Sequence, residues 1–77
     1  MNEYGVVLFH TTSAALRAEK VAQRAGLTIK LIPTPREFSS DCGLALRFLW
    51  PDCEAMQTTL ASARVVIADL QPLTARA

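Results

Sequence analysis

The sequence predicts a small α+β domain with the order β-α-β-β-α-β, and three observations predict it. Four short apolar runs are rich in β-branched or aromatic residues, and two longer segments repeat apolar residues at helical spacing. Glycines and prolines at Gly26, Pro33, Pro35, Gly43, Pro51 and Pro72 punctuate these segments where a turn is needed. The chain has 77 residues, 51% of them hydrophobic, which allows one core and one domain.

YGVVLFH, residues 4–10, is apolar in both registers and reads as a strand buried on both faces. Thr11, Thr12 and Ser13 follow; their hydroxyls can accept from an orphan helix N–H, so they read as N-cap residues. A helix then runs from about Ala14 to Ala25, with Ala14, Ala18, Val21, Ala22 and Ala25 on its inner face, and Gly26 ends it. Leu16 falls on the polar side with Lys20 and Gln23, as a singly exposed leucine or a partner contact.

LTIKLI forms a second strand, and Pro33 and Pro35 stop its ladder. LALRFLW forms a third. Leu44, Leu46, Phe48 and Trp50 share one face, and Ala45, Arg47 and Leu49 the other. Pro51-Asp52 breaks this strand and caps a helix from Cys53 to Ala63, with Cys53, Met56, Leu60 and Ala63 on one face. VVIADL is the last strand, ended by Pro72.

This is the element order of the ferredoxin-like fold, a four-stranded antiparallel sheet with two helices on one face. The right-handed crossover rule makes strands one and two parallel with strand three between them, giving the order 4-1-3-2. The opposite face would carry Ile32, Leu49 and other apolar groups with nothing on top. A patch of that kind usually marks an interface, so a homodimer through this face is expected, with a sparsely apolar solvated face as the alternative.

Eight Lys/Arg against seven Asp/Glu give a formal charge of +1, with the basic residues scattered, which argues against a nucleic-acid partner. The apolar runs are too short to span a membrane, and MNEYGVVLFH lacks the basic start and cleavage site of a signal peptide. Two cysteines without an export signal suggest the cytoplasm.

The stretch IPTPREFSSDCG, residues 32–43, holds the chemistry. In the expected topology the end of strand one, the start of helix one and this loop share one end of the sheet. Cys42 would then lie beside His10, Thr11, Thr12 and Ser13. A helix N-terminus stabilises an anion, and a thiolate is one. Arg36 would add a fixed cation, Ser39 and Ser40 hydroxyl donors, and Gly43 room for a bulky group to approach. His10 is the chain's single imidazole and a candidate proton shuttle for Cys42. On residues alone the bland readings stand as open for the thiol site (a small cysteine packed inertly, Arg36 paired with Glu37 or Asp41, a turn glycine), and a lone histidine closing an apolar strand is more often structural.

Cys53 belongs to the other end of strand three. Residues 44–49 extended span roughly 20 Å, well beyond disulfide reach, so Cys42 and Cys53 should not bridge, and Cys53 reads as a core or boundary residue. Two cysteines and one histidine make a poor metal site, and no phosphate-binding glycine loop is present. No cofactor is therefore expected.

The runs FHTTSAALRAEK and IKLIPTPREFSSDCGLALRF, and above all the core IP-x-PRE-x-S-x-x-CG, resemble a family of small bacterial proteins (DUF3343) described as selenium/sulfur carrier-like. The resemblance marks Pro35, Arg36, Glu37, Ser39, Cys42 and Gly43, with Thr11 or Thr12 and Glu19. It implies that Cys42 carries sulfur or selenium as a persulfide or selenosulfide, between a cysteine desulfurase-type or selenium donor and an acceptor protein. His10 and Thr11 stand where the family has small or hydroxyl residues, so the resemblance lends His10 no special chemistry.

Three readings follow. The chain is a sulfur or selenium carrier, or sulfurtransferase accessory, acting through Cys42. Or it is an anion-binding or regulatory module in which Cys42 is incidental, an analogy at the level of the fold. Or it is a thiol redox enzyme, the weakest reading because no second thiol lies close by.

Overall fold

A computed structural model describes residues 3–36, 38 and 43–73. Its elements are β1 (Tyr4–Leu8), α1 (Thr12–Arg24), β2 (Ile29–Pro33), β3 (Leu44–Leu49), a 3₁₀ turn (Trp50–Asp52), α2 (Cys53–Ser62) and β4 (Asp69–Leu73). The sheet order is β2-β3-β1-β4 with every neighbouring pair antiparallel. This is the expected order read from the opposite edge, and the domain is an α+β ferredoxin-like fold.

The alternation along β1 and β3 builds the core. Val7 and Phe9 of the first strand run, and Leu46 and Phe48 of β3, point to the helix side and are fully or almost fully buried. Ala15, Ala18 and Ala22 of α1 and Met56 and Leu60 of α2 close over them. Alanine lets α1 lie close to the sheet, while α2 fills the remaining space with longer side chains. Each buried Leu, Met or Phe contributes about 1.5–3 kcal/mol. A chain of this size has a net stability of only about 4–12 kcal/mol, so any one of them matters.

Both helices end in the same closure. In α1, Gly26 N–H donates to the Gln23 carbonyl (3.0 Å) and Leu27 N–H to Ala22 (3.1 Å), with Gly26 at φ +80. In α2, Arg64 N–H donates to Ala61 (3.0 Å) and Val65 N–H to Leu60 (2.9 Å), with Arg64 at φ 59. These are Schellman closures, each with its apolar residue, Leu27 or Val65, packed on the core.

Several sequence expectations need correction. The inner face of α1 is rotated: Ala15 is buried, Ala14 and Val21 are half-buried, and Ala25 is exposed. An alanine-rich helix has a shallow amphipathic signal, so a small rotation escapes the eye. Asp52 caps α2 by position only. It makes no side-chain cap bond, because it belongs to the 3₁₀ turn at φ -90, ψ 12 and lacks the extended backbone a capping side chain needs.

The last strand is Asp69–Leu73, not the apolar run VVIADL; Val65 is used instead to close α2. Pro72 lies inside β4 opposite Gly5, whereas Pro33 is the last residue of β2, opposite Leu44. Pro72 does not stop its ladder, because β4 is an edge strand that needs hydrogen bonds on one side only, whereas β2 does end at Pro33.

The face away from the helices is also not bare. Val6, Leu8 and Ala45 are buried there, with Ile32 and Phe38 packed against them. Phe38 reaches this face from the β2–β3 connection, where its N–H donates to the Pro35 carbonyl at 3.0 Å. Part of the apolar face expected to stand open is thus buried within one chain, while Ile32 and Leu49 stay half-buried.

Candidate functional site at one end of the sheet

Register decides which segments meet. Leu8, the last residue of β1, pairs with Ala45 on one side and Asp69 on the other. Pro33 pairs with Leu44, and beyond that pair Thr34 N–H donates to the Gly43 carbonyl at 3.0 Å. One end of the sheet therefore gathers the start of α1, the mouth of the β2–β3 connection and the run into β4, where Ala68 N–H donates to Leu8 (2.7 Å).

At this end His10, Thr11, Thr12 and Ser13 are all exposed. Thr11 is the N-cap of α1, and its hydroxyl oxygen accepts from Ala14 N–H at 3.1 Å. That oxygen is therefore engaged with the helix. Arg36 is exposed and ion-pairs with no described residue. Gly43 is exposed, and a Cβ built on it would meet no described residue within 4 Å. Cys42, Ser39 and Ser40, together with Glu37 and Asp41, lie outside the described residues.

Cys53 is free and half-buried at the start of α2, at the opposite end of β3. Its sulfur accepts from Gln57 Nε2 at 3.6 Å, a contact within the same helix.

A groove at the same end went unread in the sequence. It has a volume of about 250 Å³ and is lined by Ser13, Ala14, Arg17, Arg64, Val65 and Val66. Arg17 spans the two helices, donating from Nη2 to the Ala63 carbonyl at 3.2 Å. The four-residue spacing of Ser13 and Arg17 puts both on one side of α1 and was a usable signal. Arg64 gave none, since arginine is not the residue one expects in a left-handed closing position.

Among the described residues no cluster of three or more His, Cys, Asp or Glu is placed to hold a metal ion, and no helix is long and apolar enough to cross a membrane.

Fold and site thus define a ferredoxin-like α+β domain whose sequence motif spans a β2–β3 connection opening beside a helix start. The particular family is shown by comparison: the chain belongs to the family described as "Putative Se/S carrier protein-like", whose model matches residues 4–71. That match runs from the first residue of β1 into β4 and so contains the whole motif. The chain is also similar to the uncharacterised protein YtiA of Escherichia coli (strain K12), at 33% identity over 57 residues. That match covers 74% of this chain and 66% of the relative. No solved structure matches the chain.

Proposed function

We propose that this protein carries sulfur or selenium on Cys42, between a donor enzyme and an acceptor protein in the cytoplasm. The observation that carries the reading is the motif IP-x-PRE-x-S-x-x-CG inside a chain of the Se/S carrier protein-like family. The geometry is compatible with it. Residues on either side of Cys42 in sequence, Arg36 and Gly43, belong to a connection whose mouth is pinned beside the capped start of α1.

In the loading step, the Cys42 thiolate attacks the terminal sulfur of a donor persulfide. A new S–S bond forms on Cys42, the donor's S–S bond breaks, and the donor leaves as a thiolate. With selenium the terminal atom is Se, and a selenosulfide forms in the same way. Delivery repeats the exchange with an acceptor thiolate attacking the terminal atom and Cys42 leaving. A persulfide is more acidic than a thiol, so nearby cationic donors hold the loaded group in its anionic form. Arg36 and the α1 N-terminus are the groups this chain offers for that.

The test is to incubate the reduced protein with a cysteine desulfurase supplied with cysteine or selenocysteine, then to locate the added atom by peptide mass spectrometry. Cys42 should gain it and Cys53 should not; Cys42→Ser should abolish loading and Cys53→Ser should retain it. Loading on Cys53, or none on Cys42, would sink the proposal in favour of an anion-binding module in which Cys42 is incidental.

A further inference from the structure

We infer that the groove between the start of α1 and the end of α2 is a docking site for an acidic peptide segment, with an apolar anchor residue, on a protein partner. Among the described residues its lining supplies two guanidinium groups, Arg17 and Arg64, and no carboxylate. Arg17 is fixed by its bond to the Ala63 carbonyl, which leaves the other N–H groups of a planar, preorganised fork for a carboxylate. Arg64 makes no side-chain hydrogen bond or ion pair with a described residue and lines the same groove.

The charge is not confined to the groove. Arg17, Lys20 and Arg24 follow one another at positions i, i+3 and i+7 of α1, so a basic line runs from the groove along the helix. A chain of net charge +1 thus concentrates cations on one surface. The apolar component is Val66, which is 70% exposed beside Val65 and is one of two large hydrophobics exposed among the described residues. A groove with paired cations, an uncovered valine and a basic line leading away matches a segment alternating carboxylates with an apolar side chain. A small anion would leave the valine unused. The inference stands on this lining alone, whatever chemistry Cys42 performs.

The left-handed closing position of α2 supplies a clean variant. Glycine suits φ 59 better than arginine does, so Arg64→Gly removes a guanidinium without threatening the fold. Val66→Ser removes the apolar anchor at an exposed site. The probe is a fluorescein-labelled synthetic peptide of repeating Glu-Leu-Asp-Glu, set against a Gln-Leu-Asn-Gln peptide and a short single-stranded oligonucleotide, by fluorescence anisotropy on the full chain.

The acidic peptide should bind saturably and more weakly as salt rises. Arg64→Gly should weaken it about fivefold and Val66→Ser about threefold, with both variants melting no lower than the parent. Amide shifts on titration should map to Ser13 and Val66. Equal binding of the neutral peptide, tighter binding of the oligonucleotide, undiminished binding in Arg64→Gly, or no saturable binding of the acidic peptide would each overturn the inference.

Discussion

The two ends of the sheet solve different problems, and two glycines show it. At the end where β3 runs into α2, a Cβ on Gly5 would sit 2.5 Å from Phe48 Cζ and 2.6 Å from Trp50 Cε3. There Phe48 and Trp50 stack with centroids 6.0 Å apart, Arg47 lies 4.4 Å over the Tyr4 ring, and Trp50 N–H donates to the Glu3 carbonyl at 2.9 Å. At the other end, a Cβ on Gly43 would meet no described residue within 4 Å, and the margin beyond the buried Leu8, Phe9 and Ala45 is held by a cap, a few backbone bonds and Arg17. One end is closed by packing, which forbids change. The other is held by hydrogen bonds at its margins, which leaves side chains free to meet other molecules.

The largest effect expected is at the packed end. Gly5→Ala must displace two aromatic rings and should cost about 1–3 kcal/mol, read as a thermal midpoint lower by several degrees. If it melts with the parent, the contrast between the ends is wrong. At the open end, Thr11→Ala removes the α1 cap and should cost about 1 kcal/mol in chemical denaturation. Arg64→Gly should stabilise by about 0.5–1 kcal/mol, an unusual sign for a truncation.

Gly43→Ala should change stability by less than about 0.5 kcal/mol. If the carrier proposal holds, it should still slow Cys42 loading, which would separate the residue's effect on approach from any effect on folding. A lowered midpoint would instead show that the open end is packed after all.

The smallest effect is on pH dependence. Asp69, exposed at the open end, accepts from Gln71 Nε2 (2.7 Å) and Leu70 N–H (2.8 Å). Those bonds, the Gln71 contact first, hold its pKa below the ordinary value. A folded pKa below the unfolded one means the contribution is present above the ordinary carboxylate range. It is lost as pH falls from about 4 through the lower folded value. Asp69→Asn should remove that small part of the acid-side slope; an unchanged slope would show the bonds are idle in solution.

The architecture was largely legible because local signals agreed. The cap run of residues 11–13 and Gly26 bracket α1 in the sequence, though the helix begins at Thr12 rather than near Ala14, and β3 alternates cleanly. The fourth strand was misplaced because Val65, Val66 and Ile67 have the composition of a strand, whereas helix closure claims Val65 and an edge strand tolerates Pro72. Apolar pattern alone cannot tell an anchor from a strand. At the site, the meeting of the loop mouth with the start of α1 followed from topology. The Arg17–Arg64 groove did not, because it depends on how α2 turns off its axis at Arg64. Phe38 covers part of the second face from a connection that sequence pattern gave no reason to place there.

Pro33 and Pro72 occupy the two outer margins of the sheet, one on each. Because Thr34 donates to Gly43, the ladder's alternation makes Pro33–Leu44 a pair without mutual hydrogen bonds, so the Pro33 nitrogen faces outward. A strand laid along that margin would find a missing donor, with a rigid ring beside it. Templated growth, margin to margin, into ribbons or fibres is the hazard of any small sheet with two free edges. Here each edge carries its own interruption, so crowding favours contacts between side chains over extension of the backbone ladder.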